Sequence, residues 1–334
     1  MCKREQHTFF SVEDLPSGRD SNMNRIRIHN TDLEVSQICY GQVNLGLRPD
    51  EVEAMRLLDL FASLGGNFVD TASVYSNWVP GELHRSERVL GDYFKSRGNR
   101  DKFVVCTKGC HYDLETKADR VTPADFMADL ETSLKMLRTD RIDLYLFHRD
   151  DMRMPVATLL EVCEKAKAEG KIRYYGSSNW RVQRLTAVDR AAQERGFEGF
   201  RVNQLTTHPA VGLTNPMPDD TMSMWNRNYA DYHRATGMTV MGSSSLAEGF
   251  LSDPDNERFA GTMYDSGAAR LLAKKIQGLA QETGLTPAQI CIRFQTDYPG
   301  IQMIPVFTAS TEKNLRELCA SFDKPFPEDA LFRF

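Results

Sequence analysis

The sequence has no surplus of basic residues and no long apolar segment. Its 41 lysine and arginine residues are outnumbered by 46 aspartate and glutamate residues, which leaves a net charge of -5 and a pI near 5.9. A nucleic-acid-binding protein usually carries a basic stripe, and this chain has none. No run approaches a membrane span, and the polar N-terminus lacks the apolar core of a signal peptide. We therefore expect no nucleic-acid partner, no membrane partner and a cytoplasmic location.

Cysteine is also used in a way that excludes several classes of site. The seven cysteines are odd in number and most of them lie in apolar segments, which favours buried, reduced thiols. The closest pair, Cys106 and Cys110, is too widely spaced for a C-x-x-C motif, and no second pair completes four ligands. We expect neither a disulfide framework nor a metal site.

Eight short apolar runs recur along the chain, with helical patterns in the gaps between them. β-branched and aromatic residues favour strands in these runs, which read ICYG, NFVD, FVVCTK, DLYLFH, IRYYGSS, RVNQL, VMGSS and IQMIPV. Residues typical of helix ends bound several of the gaps, such as Thr122 before Pro123 and Gly170 after a lysine-rich turn. Parallel strands need helical crossovers, and eight such units close a barrel. The sequence therefore predicts the α/β class and a (β/α)8 TIM barrel.

The remaining segments set the predicted domain boundaries. RIRIHNTDLEVSQI alternates around residues 29–32 and predicts an N-terminal β-hairpin. Residues 1–24 form a polar leader, and residues 25–334 form a single barrel domain because no composition break divides them. Residues 215–264 have weak periodicity, which predicts an irregular helix and a long loop around the seventh barrel strand.

Four ionisable side chains lie near the ends of three of the predicted strands. Asp70 and Tyr75 follow NFV, Lys108 ends FVVCTK, and His148 ends DLYLFH. In a closed parallel barrel all the C-terminal strand ends open onto one face, so residues far apart in sequence meet there. We therefore expect an acid, a phenol, an amine and an imidazole to converge.

Five segments, in this order, strongly resemble the aldo-keto reductase family: NFVDTASVYSN, VVCTKG, IDLYLFHRDD, EGKIRYYGSSN and RVNQL. The resemblance covers most of residues 25 to 320. It implies a (β/α)8 barrel whose base is closed by a short hairpin, NADPH bound across the C-terminal face, and reduction of carbonyl compounds. The family's catalytic tetrad would fall on Asp70, Tyr75, Lys108 and His148.

Carbonyl reduction gives each of these four residues a chemical task. The reaction needs a hydride, which no side chain supplies, and a proton for the carbonyl oxygen. The ammonium of Lys108 is expected to lower the pKa of Tyr75 and make it the proton donor, with Asp70 as the ion-pair support of Lys108. His148 would orient the carbonyl group. Taken singly, the four are more ordinary: a cap, a packed aromatic, a solvated rim charge and a hydrogen-bonding histidine.

The resemblance also implies a set of cofactor-binding residues, with NADP (NADPH) favoured over NAD. Side-chain amides and hydroxyls would hold the nicotinamide carboxamide, and a backbone loop would wrap the pyrophosphate. The set is Gly41, Gln42, Ser178, Asn179, Gln204, Ser243, Ser245, Leu246, Gly249, Ser310 and Lys313.

Two positions depart from the family pattern. Ser243 stands where many members have an aromatic ring that stacks on the nicotinamide, and serine cannot stack. The usual basic position after the last strand is Thr308 or Ala309 here, so Lys313 would have to supply the charge for a 2'-phosphate.

Residues just beyond the strand ends are candidates for a substrate pocket. They are Trp78, Tyr112, Arg149 and Trp180. Arg149 has an alternative role as a surface ion pair with Asp150 or Asp151. The polar rim favours a small polar or sugar-like carbonyl substrate over a steroid.

Three functional hypotheses are open at this point. The first is the carbonyl reductase. The second is a cofactor-sensing or partner-binding module with little turnover, as potassium-channel β-subunits show for this fold. The third is a Schiff-base enzyme that uses Lys108 as nucleophile, which Asp70 argues against because an ion pair raises the lysine pKa. The sequence assigns no oligomeric state and no direction of reaction.

Overall fold

A closed barrel of eight parallel strands forms the centre of residues 23–332, the part of the chain that the computed structural model describes. Two further strands, β1 (Arg25–Arg27) and β2 (Glu34–Ser36), precede the barrel. The barrel strands are β3 (Cys39–Gly41), β4 (Phe68–Asp70), β5 (Val104–Gly109), β6 (Ile142–Phe147), β7 (Ile172–Ser178), β8 (Val202–Thr206), β9 (Thr239–Ser243) and β10 (Met303–Phe307). Strands β3 to β10 pair in sequence order, and β10 closes against β3. The predicted (β/α)8 TIM barrel is confirmed. The predicted polar leader falls almost wholly outside the described residues.

The antiparallel pair β1 and β2 closes one end of the barrel. Three residues in and between these strands, Ile28, Leu33 and Val35, are buried and belong to the apolar cluster that fills the barrel interior. The backbone N–H of His29 donates to Oγ1 of Thr239 at the start of β9, at 3.2 Å. This end, which we call the base, is therefore sealed by an apolar hairpin, as predicted.

Helices pack around the outside of the barrel. They are α1 (Glu51–Ser63), α2 (Arg85–Arg97), α3 (Pro123–Leu137), α4 (Val156–Ala168), α5 (Val182–Arg195), α6 (Arg227–Thr236), α7 (Gly267–Thr283), α8 (Pro287–Thr296) and α9 (Glu312–Cys319). Helix α3 starts as predicted, with the Thr122 side chain accepting a hydrogen bond from the backbone of Asp125. None of the helices in the described part of the chain is both long and apolar enough to cross a membrane.

The segment around β9 is more ordered than its sequence suggests. Helix α6 begins after Asn226, whose side chain accepts hydrogen bonds from the backbone N–H groups of Asn228 and Tyr229. After β9 the chain forms two single-turn 3-10 helices, Ala247–Gly249 and Glu257–Phe259. Both α7 and α8 then precede β10, so this crossover carries one helix more than the simple repeat.

Strand register brings the polar residues to the opposite end of the barrel, which we call the mouth. Asp70 in β4 lies opposite Cys106 in β5, and Lys108 follows two residues later on the same strand face. Ser178 in β7 lies opposite Gln204 in β8. Since all eight strands run the same way, these side chains share the C-terminal end.

Candidate active site

Lys108 is the centre of a buried polar network at the mouth. Its side chain is fully buried, and Nζ donates to Oδ1 and Oδ2 of Asp70 at 2.8 and 2.7 Å and to the carbonyl of Thr71 at 2.7 Å. Nε2 of Gln204 also donates to Oδ1 of Asp70, at 3.0 Å. Asp70 and Thr71 therefore supply close acceptors for the ammonium, and the carboxylate is held from two sides.

Tyr75 and His148 complete this network on the side of the cavity. The Tyr75 hydroxyl lies 3.3 Å from Nζ of Lys108, and the Tyr75 and His148 rings meet edge to face with centroids 5.7 Å apart. An ammonium can only donate, so the Tyr75 oxygen accepts from it. The phenolic proton is then left for a group in the cavity. The structure thus brings together the four side chains Asp70, Tyr75, Lys108 and His148.

The protonation of this pair differs from the expectation. Burial raises the pKa of the Tyr75 phenol above its ordinary value, and the nearby ammonium of Lys108 offsets only part of that rise. Burial alone would lower the pKa of Lys108, but Asp70 and Tyr75 raise it above its usual value. The ammonium of Lys108 thus acts on the pKa of Tyr75 in the expected direction, but burial outweighs it, so the phenol is neutral and the lysine charged.

Two imidazoles face each other beside Tyr75. The ring centroids of His111 and His148 are 4.8 Å apart, and Nδ1 of His111 donates to the carbonyl of Tyr112 at 2.9 Å. Burial and the charge of Arg149 lower the pKa of His148 well below its ordinary value, and the same causes lower that of His111 to about 4. Both rings are therefore neutral at pH 7. Nδ1 of His148 is buried and has no partner within residues 23–332.

A cavity of about 390 Å³ opens over this network. Most of the residues predicted for the site line it: Gly41, Gln42, Asp70, Tyr75, Trp78, Tyr112, His148, Arg149, Ser178, Asn179, Gln204 and Ser243. Apolar side chains of Val43, Val74, Leu114 and Met222 complete the wall. The cavity therefore combines a polar floor with apolar flanks, as small-molecule sites do.

A second cavity of about 260 Å³ adjoins the first and shares Gly41, Gln42 and Thr308 with it. It reaches Ser310 and also Arg48 and Asn314, which the sequence analysis did not select. A Cβ atom at position 41 would lie only 3.0 Å from Cγ1 of Val306. Glycine at this position therefore leaves the space between the two cavities open.

Four of the predicted cofactor residues lie outside the walls of both cavities. Ser245 is buried, and its hydroxyl donates to the carbonyls of Gly242 and Val306 in the barrel wall. The other three are Leu246, which is half-buried, Gly249, which sits in a turn at φ +86°, and Lys313, which is exposed on α9.

Trp180 is not part of the predicted substrate pocket. It is fully buried, and its ring packs against Phe147 and Phe200 in the layer between barrel and helices. Its Nε1 donates to the carbonyl of Arg149 at 3.1 Å. The residue supports the strand that carries His148 and does not contact the cavity.

Arg149 faces the cavity and is not the surface ion pair considered above. Asp150 pairs with Arg184 and Asp151 with Arg153, whereas Arg149 pairs with Asp219. Sequence reasoning missed Asp219 because it lies 70 residues away in the loop after β8. It also missed His111, whose placement depends on a left-handed backbone at Cys110, φ +60°. A histidine three residues after a strand-end lysine was the available signal.

Comparisons with known proteins agree with this geometry. The Bacillus subtilis protein named "Uncharacterized oxidoreductase YrpG" is 29% identical over 300 residues, which cover 86% of this chain and 87% of that protein. A probable voltage-gated potassium channel subunit beta from Oryza sativa subsp. japonica is 28% identical over 298 residues, covering 84% and 85% respectively. An aryl-alcohol dehydrogenase [NADP(+)] from Phanerodontia chrysosporium is 30% identical over 186 residues, covering 49% and 47%.

The family model for the aldo/keto reductase family matches residues 37–333. That range contains all eight barrel strands and every residue that lines the two cavities. The resemblance seen in the five sequence segments is confirmed, and the chain belongs to the aldo/keto reductase family.

Proposed function

We propose that this chain reduces an aldehyde or ketone to an alcohol with NADPH, and that Tyr75 gives the proton to the carbonyl oxygen. The membership of the family and its oxidoreductase relatives support the carbonyl reductase role. The observation that carries the proposal is the hydrogen bond from Lys108 to the Tyr75 oxygen, which leaves the phenolic proton for a ligand. A positioned general acid contributes about 10²- to 10⁴-fold to a rate.

The other residues of the network keep this donor ready. Burial keeps the Tyr75 phenol protonated at neutral pH, so it carries the proton that the reaction consumes. Lys108 stabilises the phenolate left after transfer, and Asp70 holds the ammonium in place. His148 is neutral and lies beside the Tyr75 ring, so it orients a carbonyl oxygen without adding charge.

The two adjoining cavities suit a nicotinamide dinucleotide, which supplies the hydride when bound. Ser178, Asn179 and Gln204 would hold the carboxamide, because a primary amide needs both donors and acceptors. Ser245, Leu246 and Gly249 lie outside the walls of both cavities, and the Gly249 N–H donates to the carbonyl of Leu246, so we do not assign them to the pyrophosphate. With no aromatic ring at Ser243, the ring contact is weaker than in many members.

The second cavity, of about 260 Å³, is the basis for the preference for NADP over NAD. Arg48 and Ser310 line it, so one cation and one hydroxyl would be available to a 2'-phosphate, whereas Lys313 lies on α9 outside the wall. The name of the Phanerodontia chrysosporium relative includes NADP(+), which agrees with this preference.

A fluorescence titration with NADPH and NADH, followed by absorbance assays with a panel of aldehydes and ketones, tests the proposal. We expect tighter binding of NADPH and measurable reduction of at least one carbonyl compound. Tyr75→Phe is the matched variant, since it removes one oxygen atom. It should lower kcat by at least about 10²-fold while the Kd for NADPH changes less than about twofold.

The same assays separate the reductase from the alternative suggested by the potassium channel relative. Tight cofactor binding with negligible turnover of every carbonyl compound would favour a cofactor-sensing or partner-binding module. Full activity in Tyr75→Phe would overturn Tyr75 as the proton donor.

A further inference from the structure

Arg149 is a buried cation in the wall of the main cavity. Its side chain is 9% exposed, and each of its three nitrogens has one partner. Nε donates to Oγ1 of Thr221 at 2.8 Å, Nη1 to the carbonyl of His148 at 2.9 Å, and Nη2 to Oδ2 of Asp219 at 3.3 Å. Tyr112 adds a further interaction, since its hydroxyl is hydrogen-bonded to the Arg149 side chain and its ring centroid lies 5.7 Å from Cζ. A guanidinium has five N–H groups, so these contacts leave at least one of them for another acceptor.

The charge of Arg149 is only partly balanced by Asp219. Their separation of 3.3 Å is longer than the 2.7 to 2.9 Å of a strong charged pair. Oδ1 of Asp219 already accepts from the backbone and hydroxyl of Thr221, and its Oδ2 also accepts from the Tyr112 hydroxyl at 3.4 Å. The carboxylate is therefore shared among several donors, and it is 30% exposed. A buried cation with such a partner favours a further anion.

The surrounding wall shows where that anion would sit. Asp70 is the only carboxylate among the described residues that line the main cavity. It already accepts hydrogen bonds from Lys108 and Gln204. The positive charge of Arg149 contributes to the lowered pKa of His148. The cavity wall therefore carries one cation that no lining carboxylate neutralises.

We infer that the substrate of the proposed reductase is a carbonyl compound that also carries a carboxylate, and that Arg149 binds this carboxylate. The inference rests on the proposed function and names its substrate class. An N–H group that remains on this buried cation can donate to a carboxylate oxygen, and arginine binds carboxylates through charge-assisted hydrogen bonds. Val74 and Met222 would contact the carbon skeleton between the two groups. The carboxylate is unchanged by the reduction.

A purely structural role for Arg149 is the competing explanation. Thr221 and Asp219 belong to the loop after β8, so Arg149 also ties this loop to the end of β6. A tie of this kind affects every substrate alike. Recognition of a carboxylate affects only the substrates that carry one, so the two roles separate when a charged and a neutral substrate are compared.

The test measures kcat/KM for 4-carboxybenzaldehyde and for its methyl ester, which has the same ring and aldehyde but no charge. The readout is the ratio of the two values, acid over ester. We expect wild type to favour the acid and Arg149→Gln to lower the ratio by about 10- to 100-fold, as loss of a hydrogen bond to a charged group does. Asp219→Asn is the matched control, because it loosens the loop but leaves Arg149 charged.

The effect of Arg149→Gln on the ratio separates the two explanations, and the control variant reports what loosening the loop does alone. If Arg149 binds the carboxylate, Asp219→Asn keeps or raises the ratio, since the guanidinium loses its competing partner. If Arg149 only ties the loop, both variants lower kcat/KM for acid and ester by the same factor and the ratio stays at its wild-type value. That second result overturns the inference.

A binding measurement separates failure of this inference from failure of the proposed function. Calorimetric titration of the full-length chain with benzoate and with benzamide needs no turnover. Benzoate binding that Arg149→Gln abolishes supports the anion site even if no carbonyl compound is reduced, in which case the reductase proposal fails alone. Reduction of the ester as efficiently as the acid, with no difference between benzoate and benzamide, overturns the inference and leaves the reductase standing.

Discussion

The two ends of the barrel are built from the same strands but from opposite kinds of side chain. At the base, Ile28, Leu33 and Val35 close the interior with apolar surface, and all three are buried. At the mouth, Asp70 and Lys108 are buried just as fully, but they are charged. Burial of apolar groups is favourable, whereas burial of an ion pair is at best neutral for folding.

Under the proposed function, this difference assigns stability to the base and chemistry to the mouth. The mouth retains a network that an apolar core of the same volume would replace without loss of stability. In the proposed reaction the proton donor needs a charged neighbour at a fixed distance, and Nζ of Lys108 lies 3.3 Å from the Tyr75 oxygen. The comparison predicts that changes at the two ends have separable effects on activity and on unfolding.

The largest effects are expected at the mouth. Lys108→Met leaves Asp70 as an unpaired buried charge, which should lower the free energy of unfolding by about 3 to 5 kcal/mol. The same variant should lower kcat/KM by about 10³-fold or more, because Tyr75 loses its charged neighbour. Urea unfolding and steady-state assays measure the two effects.

The double variant Asp70→Leu with Lys108→Met sharpens this result. Removing both charges removes the desolvation cost as well, so most of the lost stability should return while activity does not. A double variant as unstable as Lys108→Met alone would show that the ion pair itself stabilises the fold, contrary to the comparison.

The converse change at the base should affect stability alone. Leu33→Ala removes a buried side chain from the hairpin and should lower the free energy of unfolding by about 2 to 5 kcal/mol. We expect kcat/KM to stay within about threefold of wild type, because Leu33 is at the end of the barrel remote from the cavity. A loss of activity at a temperature where the variant remains folded would break the separation between the two ends.

A smaller effect is expected just outside the mouth, at Glu87 of α2. Its side chain is fully buried, it accepts from Oγ1 of Thr107 at 2.6 Å, and burial raises its pKa to about 7. Between the ordinary value near 4.5 and about 7, the folded chain holds a proton that the unfolded chain has lost. Stability from this group is therefore complete below about pH 4.5 and is lost as pH rises through about 7.

Glu87→Gln removes this titration and keeps an acceptor for Thr107. Between pH 4.5 and 8, the free energy of unfolding of wild type should fall by up to about 3 kcal/mol more than that of the variant. Urea unfolding at several pH values measures the difference, and groups shared by both proteins cancel in it. Parallel pH profiles of the two proteins would contradict a raised pKa at Glu87.

The strands and the base were predictable from sequence because their signals are local. A run such as IRYYGSS identifies β7 without any knowledge of its neighbours, and the barrel rule then places every strand end on one face. That rule is also why Asp70, Lys108 and His148 were expected to converge. Each lies within one residue of the end of its strand, so no loop conformation had to be known.

The rest of the site depends on loops and packing that sequence does not encode locally. Asp219 lies in the loop between β8 and β9, whereas its partner Arg149 lies between β6 and β7. His111 reaches the cavity because Cys110, the residue before it, has a left-handed backbone conformation. Trp180 follows the end of a strand, as the residues that line the cavity do. Its large ring nevertheless packs in the core against Phe147. The position of a residue just after a strand predicts at which end of the barrel it lies, but it does not predict the direction in which its side chain points.

The central claim is that the mouth carries out hydride transfer to a carbonyl carbon, and isotope transfer tests it most directly. NADPH labelled with deuterium at C4 of the nicotinamide ring is incubated with 4-carboxybenzaldehyde and the chain in ordinary water, and the alcohol is analysed by mass spectrometry. We expect one deuterium on the former carbonyl carbon when the label is on one face of the ring, and none when it is on the other face. An alcohol without deuterium from either labelled face, or one that acquires carbon-bound deuterium from D₂O, would contradict the account.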